Sequence, residues 1–463
     1  MTMIKSTLWR SKRLLGPGGA AWKAIGSTTT IPAISATANS QIRLSSGNGQ
    51  SEDCLPFSKS SLGLDRSFIA PNLASIRQLP EVESAWTEFP SASTLDSLHR
   101  ASDVFASFNK GGNEHLAVSA MTAECQHRLE QYDEALNTLD ELNHMISTNN
   151  SLTIPNAPED TLIAKAKVLW TQGEFFQSEE LCDSLISKYD DTQESFPATP
   201  LHLASAMTGK ALSQLAAMNS MDQAFSVRDY FRITIKFLER HPSSNSLPLA
   251  TAQSNCGVAE AIYNNFLEET NEVSVPMDSA LKTWFQALQK IKRDSSEEDS
   301  LGPQLWKASK LLQATIQADL AWGVLNYEHD RSDRLSKASE YAKLALEAVG
   351  PAGSTNDDEE GFRRVLSVVA SCYQQAGSAV TAEGLFQSAT NRKNLPPGPL
   401  PLLELQDAIL GYSKLCSDWE KREGDAKKLE KEASDLNEKL PEAWRGKSGI
   451  HGSLWFWTPA DFQ

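Results

Sequence analysis

Residues 366–389 read LSVVASCYQQAGSAVTAEGLFQSA, and their spacing predicts a helix, a tight turn and a second helix. Ala370 and Tyr373 share one face of the first helix, Gly377 interrupts it, and Ala382, Phe386 and Ala389 follow at i, i+4 and i+7. Small side chains at those places let two backbones approach, and the large ones fill the space beside them. The pattern recurs over 116–142, 162–185, 203–238, 249–291, 311–349 and 402–436. Aligned on the small residue that opens the core face of each second helix, the seven units bring Ala135, Ser178, Ala224, Ala280, Ala338, Ala382 and Ala426 into register. The separations are 43, 46, 56, 58, 44 and 44 residues. An extension around residues 268–276 lies between the helices of the fourth unit, and Gly350-Pro351 closes the fifth as a helix stop.

Helical hairpins repeated in this way resemble the tetratricopeptide repeat (TPR) superfamily. The resemblance implies an all-α fold, an α-solenoid of about six or seven antiparallel helix hairpins wound as a right-handed superhelix, acting in protein binding rather than catalysis. The family period is about 34 residues, so every unit here has longer helices or loops, and an irregular superhelix is expected. In the family the first helices line a concave groove that takes a partner segment. Carried over position by position, the groove comprises Ala120, Glu124, His127 and Arg128 in the first unit and Ile163, Lys167 and Trp170 in the second. In the sixth it comprises Arg364, Ser367, Ser371 and Gln374. The competing reading of these positions is a solvated helix surface. TPR co-chaperones grip a C-terminal carboxylate with a lysine and an asparagine one turn apart. The matching places hold Ala120 and Glu124, then Ile163 and Lys167, which speaks against a chaperone-tail ligand.

The 463-residue chain has a formal net charge of −16. Its first fifty residues hold six bases (Lys5, Arg10, Lys12, Arg13, Lys23, Arg43) and no acid; taking those six from −16 leaves −22 for the remainder. A body of that sign repels phosphate backbones and anionic lipid surfaces, so the expected partners are other proteins with basic segments, not nucleic acid. No run of eighteen apolar residues exists, so no membrane span is expected.

Residues 1–45 are basic, acid-free and rich in Ser, Thr and Ala, which predicts an organellar targeting peptide, mitochondrial (matrix) with plastid import as the alternative. Ile4, Leu8 and Leu15 fall on one side of a helix with Lys5, Lys12 and Arg13 away from it, and Arg43-Leu44-Ser45-Ser46 resembles a matrix processing site. A disordered basic tail is the competing reading. Residues 46–70 read as a flexible linker. Residues 71–112 read as an N-terminal helical cap, with a short helix over 80–88 and a longer one N-capped by Ser93. The array occupies 113–440. The acidic runs 295–299 and 356–360 read as solvated loops, or else as docking sites for a basic segment.

The segment 441–463 crowds Trp444, Trp455, Phe456, Trp457 and Phe462 into about twenty residues. Two readings compete: the aromatics fold back over the open end of the array, or Trp455, Phe456 and Trp457 anchor the chain in a partner.

Neither catalysis nor a cofactor is legible. The six cysteines (Cys54, Cys125, Cys182, Cys256, Cys372, Cys416) are dispersed without a C-x-x-C pair, and no two histidines have metal-ligand spacing on a helix. There is no G-x-S-x-G elbow and no phosphate loop, and Gly16-Pro17-Gly18-Gly19-Ala20-Ala21 lacks the preceding strand of a dinucleotide site. No catalytic, cofactor or metal residue is therefore predicted. The expected function is a non-enzymatic scaffold or assembly factor in an organelle. The alternatives are a permanent accessory subunit of a large mitochondrial complex and an organellar RNA-binding helical-repeat protein.

Overall fold

Gly377 adopts φ +79°, a conformation that strains any residue with a side chain, and the Ser378 amide beside it reaches back to the Tyr373 carbonyl at 2.8 Å. This closure ends one helix and lets the next run back beside it. A computed structural model describes residues 62–83, 90–149, 156–190, 200–218, 221–243, 246–269, 278–294, 303–327, 333–349, 362–392, 395, 398–419, 421–447 and 449–462. Among them the fold is all-α, with no strand.

Short helical turns within residues 65–83, among them Leu73–Ile76, and then the longer helix α1 (Ala92–Asn109) precede seven consecutive pairs. These are α2 (Asn113–Arg128) with α3 (Tyr132–Thr148), α4 (Ala157–Gln172) with α5 (Phe175–Asp190), and α6 (Pro200–Ala217) with α7 (Met221–Arg240). Next come α8 (Leu247–Glu269) with α9 (Asp278–Asp294) and α10 (Pro303–Tyr327) with α11 (Arg334–Val349). Last are α12 (Phe362–Gln375) with α13 (Ala379–Ala389) and α14 (Pro399–Ser417) with α15 (Glu423–Lys439). Each of the seven units expected from the sequence falls within one pair. Every second helix packs on its own first helix and, except for α15, on the first helix of the next pair, and α4, α6, α8, α10, α12 and α14 touch one another in series.

The two kinds of helix differ in composition accordingly. First helices are buried on most sides, and α2 is buried continuously from His115 to His127. Second helices bury one stripe: Ala135, Leu139 and Leu142 in α3, or Ala338, Ala342, Ala345 and Val349 in α11. The aligned small residues Ala135, Ser178, Ala280, Ala338, Ala382 and Ala426 are all buried; the Ala224 side chain lies outside the described residues. Ser178 fills an alanine's place because its hydroxyl donates to the Ala166 carbonyl at 2.8 Å. Surface ion pairs such as Lys165–Asp140 (2.6 Å) join successive pairs and are worth under about 1 kcal/mol each.

Two boundaries differ from the sequence expectation. Ser91, not Ser93, caps α1, accepting from the Thr94 amide at 3.2 Å. Part of the expected linker is packed: Leu62, Leu64, Phe68 and Ile69 are buried, because four large apolar side chains within eight residues favour a core over water. The targeting segment 1–45 with its processing site, the acidic runs 295–299 and 356–360, residues 270–276 of the fourth-unit extension and Gly350-Pro351 lie outside the described residues. No helix among the described residues is long and apolar enough to cross a membrane.

Trp284 of α9 is fully buried against α8 and α10, and its indole donates to the Ser254 carbonyl at 3.2 Å. Trp284→Ala is expected to lower stability by about 3–5 kcal/mol in urea unfolding. Phe285→Ala, at the half-exposed neighbour, should change it by less than about 0.5 kcal/mol.

Candidate functional site

The face lined by the first helices is where the sequence places a partner groove, and in the structure the chain's own segments lie along it. Trp444 packs edge-on against Trp170 of α4 (centroids 5.0 Å apart) and Phe175 of α5 (5.1 Å), and donates its indole N–H to the Thr171 carbonyl at 3.1 Å. The short helical turn Gly449–Ser453 then rests on α8, α12 and α14. Beyond it the chain runs extended. Asn255 of α8 grips Trp455 twice, donating to its carbonyl and accepting from its amide, both at 3.0 Å. Ser205 of α6 donates to the Trp457 carbonyl at 2.8 Å. Phe456 closes on Trp170 (5.5 Å) and on Gly209 of α6, where an added Cβ would stand 2.8 Å from the ring. The final turn, Pro459–Phe462, packs on α6 and on residues 65–69.

Each residue assigned to the groove can now be located. Glu124 is fully buried and accepts from the Leu62 amide at 2.9 Å. His127 is buried with its ring 5.7 Å from that of Tyr132, and Arg128 and Lys167 are half-buried beside it. Burial, reinforced by the charges of Lys167 and Arg128, pushes the His127 pKa down to about 3. Burial raises the Asp461 carboxyl, and Lys167 opposes that rise across the contact between α4 and the C-terminal segment. Trp170 is buried under Trp444 and Phe456. Arg364 is buried in an ion pair with Asp319 of α10 (Nη2 to Oδ1, 2.9 Å), and it also donates to the Ser453 hydroxyl. Ser453 in turn donates to Asp319 at 2.9 Å. Gln374 lies apart, donating to Asp418 at 3.0 Å near the surface. Ala120, Ile163 and Ser367 are buried and Ser371 is half-buried.

Of the residues assigned to the groove, Glu124, Trp170 and Arg364 meet residues 62–69 or 441–462 on the face lined by the first helices. That face is closed by residues 62–69 and 441–462, so a partner segment would meet the same side chains only where those residues had left. Phe456 and Trp457 are buried and Trp455 is half-buried. Of the two readings of the aromatic segment, the structure has it folded back on the array, but over the inner face and not over the end. Large aromatics gain most where they are enclosed on several sides, and the face between the first helices encloses them.

Sequence reasoning missed Ser205, Asn255, Asp319 and Ser453. Asp319 left a signal: it is the lone charge in the run 311–327, and an acid inside a long uncharged stretch of helix needs a buried counter-ion. Asn255 and Ser205 left none, since polar side chains that hold a distant backbone look like any other helix asparagine or serine. A second buried cluster lies where the upstream segment meets α4: Ser67 donates to Asp160, which also bonds His202 of α6 at 3.0 Å. The aspartate sits between serine and histidine here, an order that ties three elements together and does not activate the hydroxyl. Among the described residues no group of His, Cys, Asp and Glu could hold a metal ion. The cysteines Cys125, Cys182, Cys256, Cys372 and Cys416 are buried and free, and burial raises the Cys125 thiol to about 11 and the Cys372 thiol to about 12.

His127 gives this face a pH signature. Its ordinary pKa is about 6.5, so as pH falls the unfolded chain takes up the proton first. The stability it contributes is complete above about pH 6.5 and is lost as pH falls from there toward 3. Between pH 6.5 and 4 the urea midpoint of the wild type is expected to fall more steeply than that of His127→Gln; parallel slopes would mean the imidazole is open to water. Comparison with known proteins finds no family model that matches the chain and no curated protein similar to it.

Proposed function

We propose that this chain is a non-enzymatic scaffold or assembly factor, built as a TPR-like α-solenoid and imported into an organelle, the mitochondrial matrix before the plastid. The observation that carries the reading is the serial packing of seven helix pairs, with first helices in contact and second helices presenting a polar face outward. Such an arrangement offers a long surface for other proteins. The basic, acid-free first 45 residues support the import step.

With residues 62–69 and 441–462 on the inner face, the surface proposed for partners is the outward one, formed by the second helices. A body charge of −22, left when the six bases of the first fifty residues are taken from −16, favours partners with basic segments and speeds their encounter.

The test is capture of the untagged protein by antibody from isolated organelles at moderate salt, with native-gel sizing and identification of what co-elutes. A defined set of subunits released as salt rises is the expected result. Migration only at high mass would select a permanent subunit over an assembly factor. A monomer with nothing bound, or recovery in the cytosol, would overturn the reading.

A further inference from the structure

We infer that residues 441–462 are a strap that makes the helix pairs unfold as one unit. In a series of stacked pairs each pair touches only its neighbours, so stability is a sum of local terms and the pairs at either end can open separately. The C-terminal segment breaks that locality. Trp444 is held by α4, the turn Gly449–Ser453 lies on α8, α12 and α14, and Ser453 joins the Asp319–Arg364 pair between α10 and α12. Trp455 is held by α8 and Trp457 by α6. The first helices of six pairs therefore share one segment, five of them through hydrogen bonds between residues 89 to 273 positions apart and α14 by packing.

The attachment is specific in register. Asn255 takes both main-chain groups of Trp455 and Ser205 takes one of Trp457, so a shift of one residue along the face would break all three bonds. The strap is also coupled to the upstream segment. Gly63 has φ +72°, and a Cβ there would fall on the Thr458 side chain, so residues 62–64 and 458 fit only against each other. Releasing the strap therefore uncovers the upstream segment as well. A segment that merely covered the last pair would touch α14 and α15 alone.

The experiment compares three proteins in urea, each followed by far-UV circular dichroism and by tryptophan fluorescence. The full chain should give one transition on which both probes coincide. A chain ending after Lys447 should give probes that separate and an m-value lower by roughly a third, because m follows the surface exposed in a single step. Adding a synthetic peptide of residues 448–463 should restore the single transition. Should the shortened chain not fold, regain of helical signal on adding the peptide supports the strap. The full-length double variant Asn255→Ala/Trp457→Ala decides independently. A lower m-value with separated probes supports the strap. A lower midpoint with unchanged m and coincident probes overturns it, as does a folded shortened chain that unfolds like the full one.

Discussion

A helix buried on nearly every side has to be covered all round, and α2, α6, α8, α10 and α12 are helices of this kind. Pairing supplies most of the cover. The partner second helix takes one side, the preceding second helix another, and from α4 onward the neighbouring first helices flank what remains. One side is still open after all the pairs have stacked. In the resembled family that side takes a partner; here Trp444, Leu454, Phe456 and Trp457 take it, and they join a core that runs from α4 to α10 and on to α14. Ile163 and Trp170, which read as groove positions, are thus part of an internal core.

Enclosing an extended segment in this way buries its amide and carbonyl groups, and each must find a partner or cost about 1–3 kcal/mol. That requirement explains why polar residues occur on the inward side of otherwise apolar helices. Asn255 answers both main-chain groups of Trp455, Ser205 answers one of Trp457, and Thr171 offers a carbonyl to the Trp444 indole. The Asp319–Arg364 pair is the extreme case. Burial drives the Asp319 carboxyl upward, and Arg364 and Ser453 pull it back toward the ionised form. A buried ion pair adds little to stability over an apolar pair of the same volume, and its better-attested use is to fix register. Here the register fixed is that of Ser453 between α10 and α12.

The helix pairs were legible in the sequence because their determinants are local: small and apolar residues at i, i+4 and i+7, and a glycine at some of the sharp turns. Gly377 and Gly173 both carry the positive φ that the turn requires. The α1 cap slipped from Ser93 to Ser91 because two serines two residues apart are equally able to cap, and only the geometry of the preceding chain selects one. The burial of Leu62, Leu64, Phe68 and Ile69 and the path of 441–462 were not legible, since contacts across 62 to 273 residues impose no period on either partner. Aromatic crowding announced that the segment would be enclosed and was silent on where. Glu124, Trp170 and Arg364 were assigned to the groove by family position, but their contacts depend on which segment occupies that face.

The filled inner face changes what kind of recognition the proposed scaffold can perform. A groove that takes a segment works by enclosure, and enclosure is already used here to hold the fold together. What is left outward is the polar side of the second helices, on which large apolar residues such as Phe176 of α5 and Phe225 of α7 stand exposed. Exposed apolar residues standing singly are ordinary on protein surfaces and do not by themselves make a docking site. Arg228 lies over both Phe225 and Tyr263, so even this aromatic pair presents a charged edge. Recognition across such a surface is governed by charge, which sets encounter rate and specificity more than affinity.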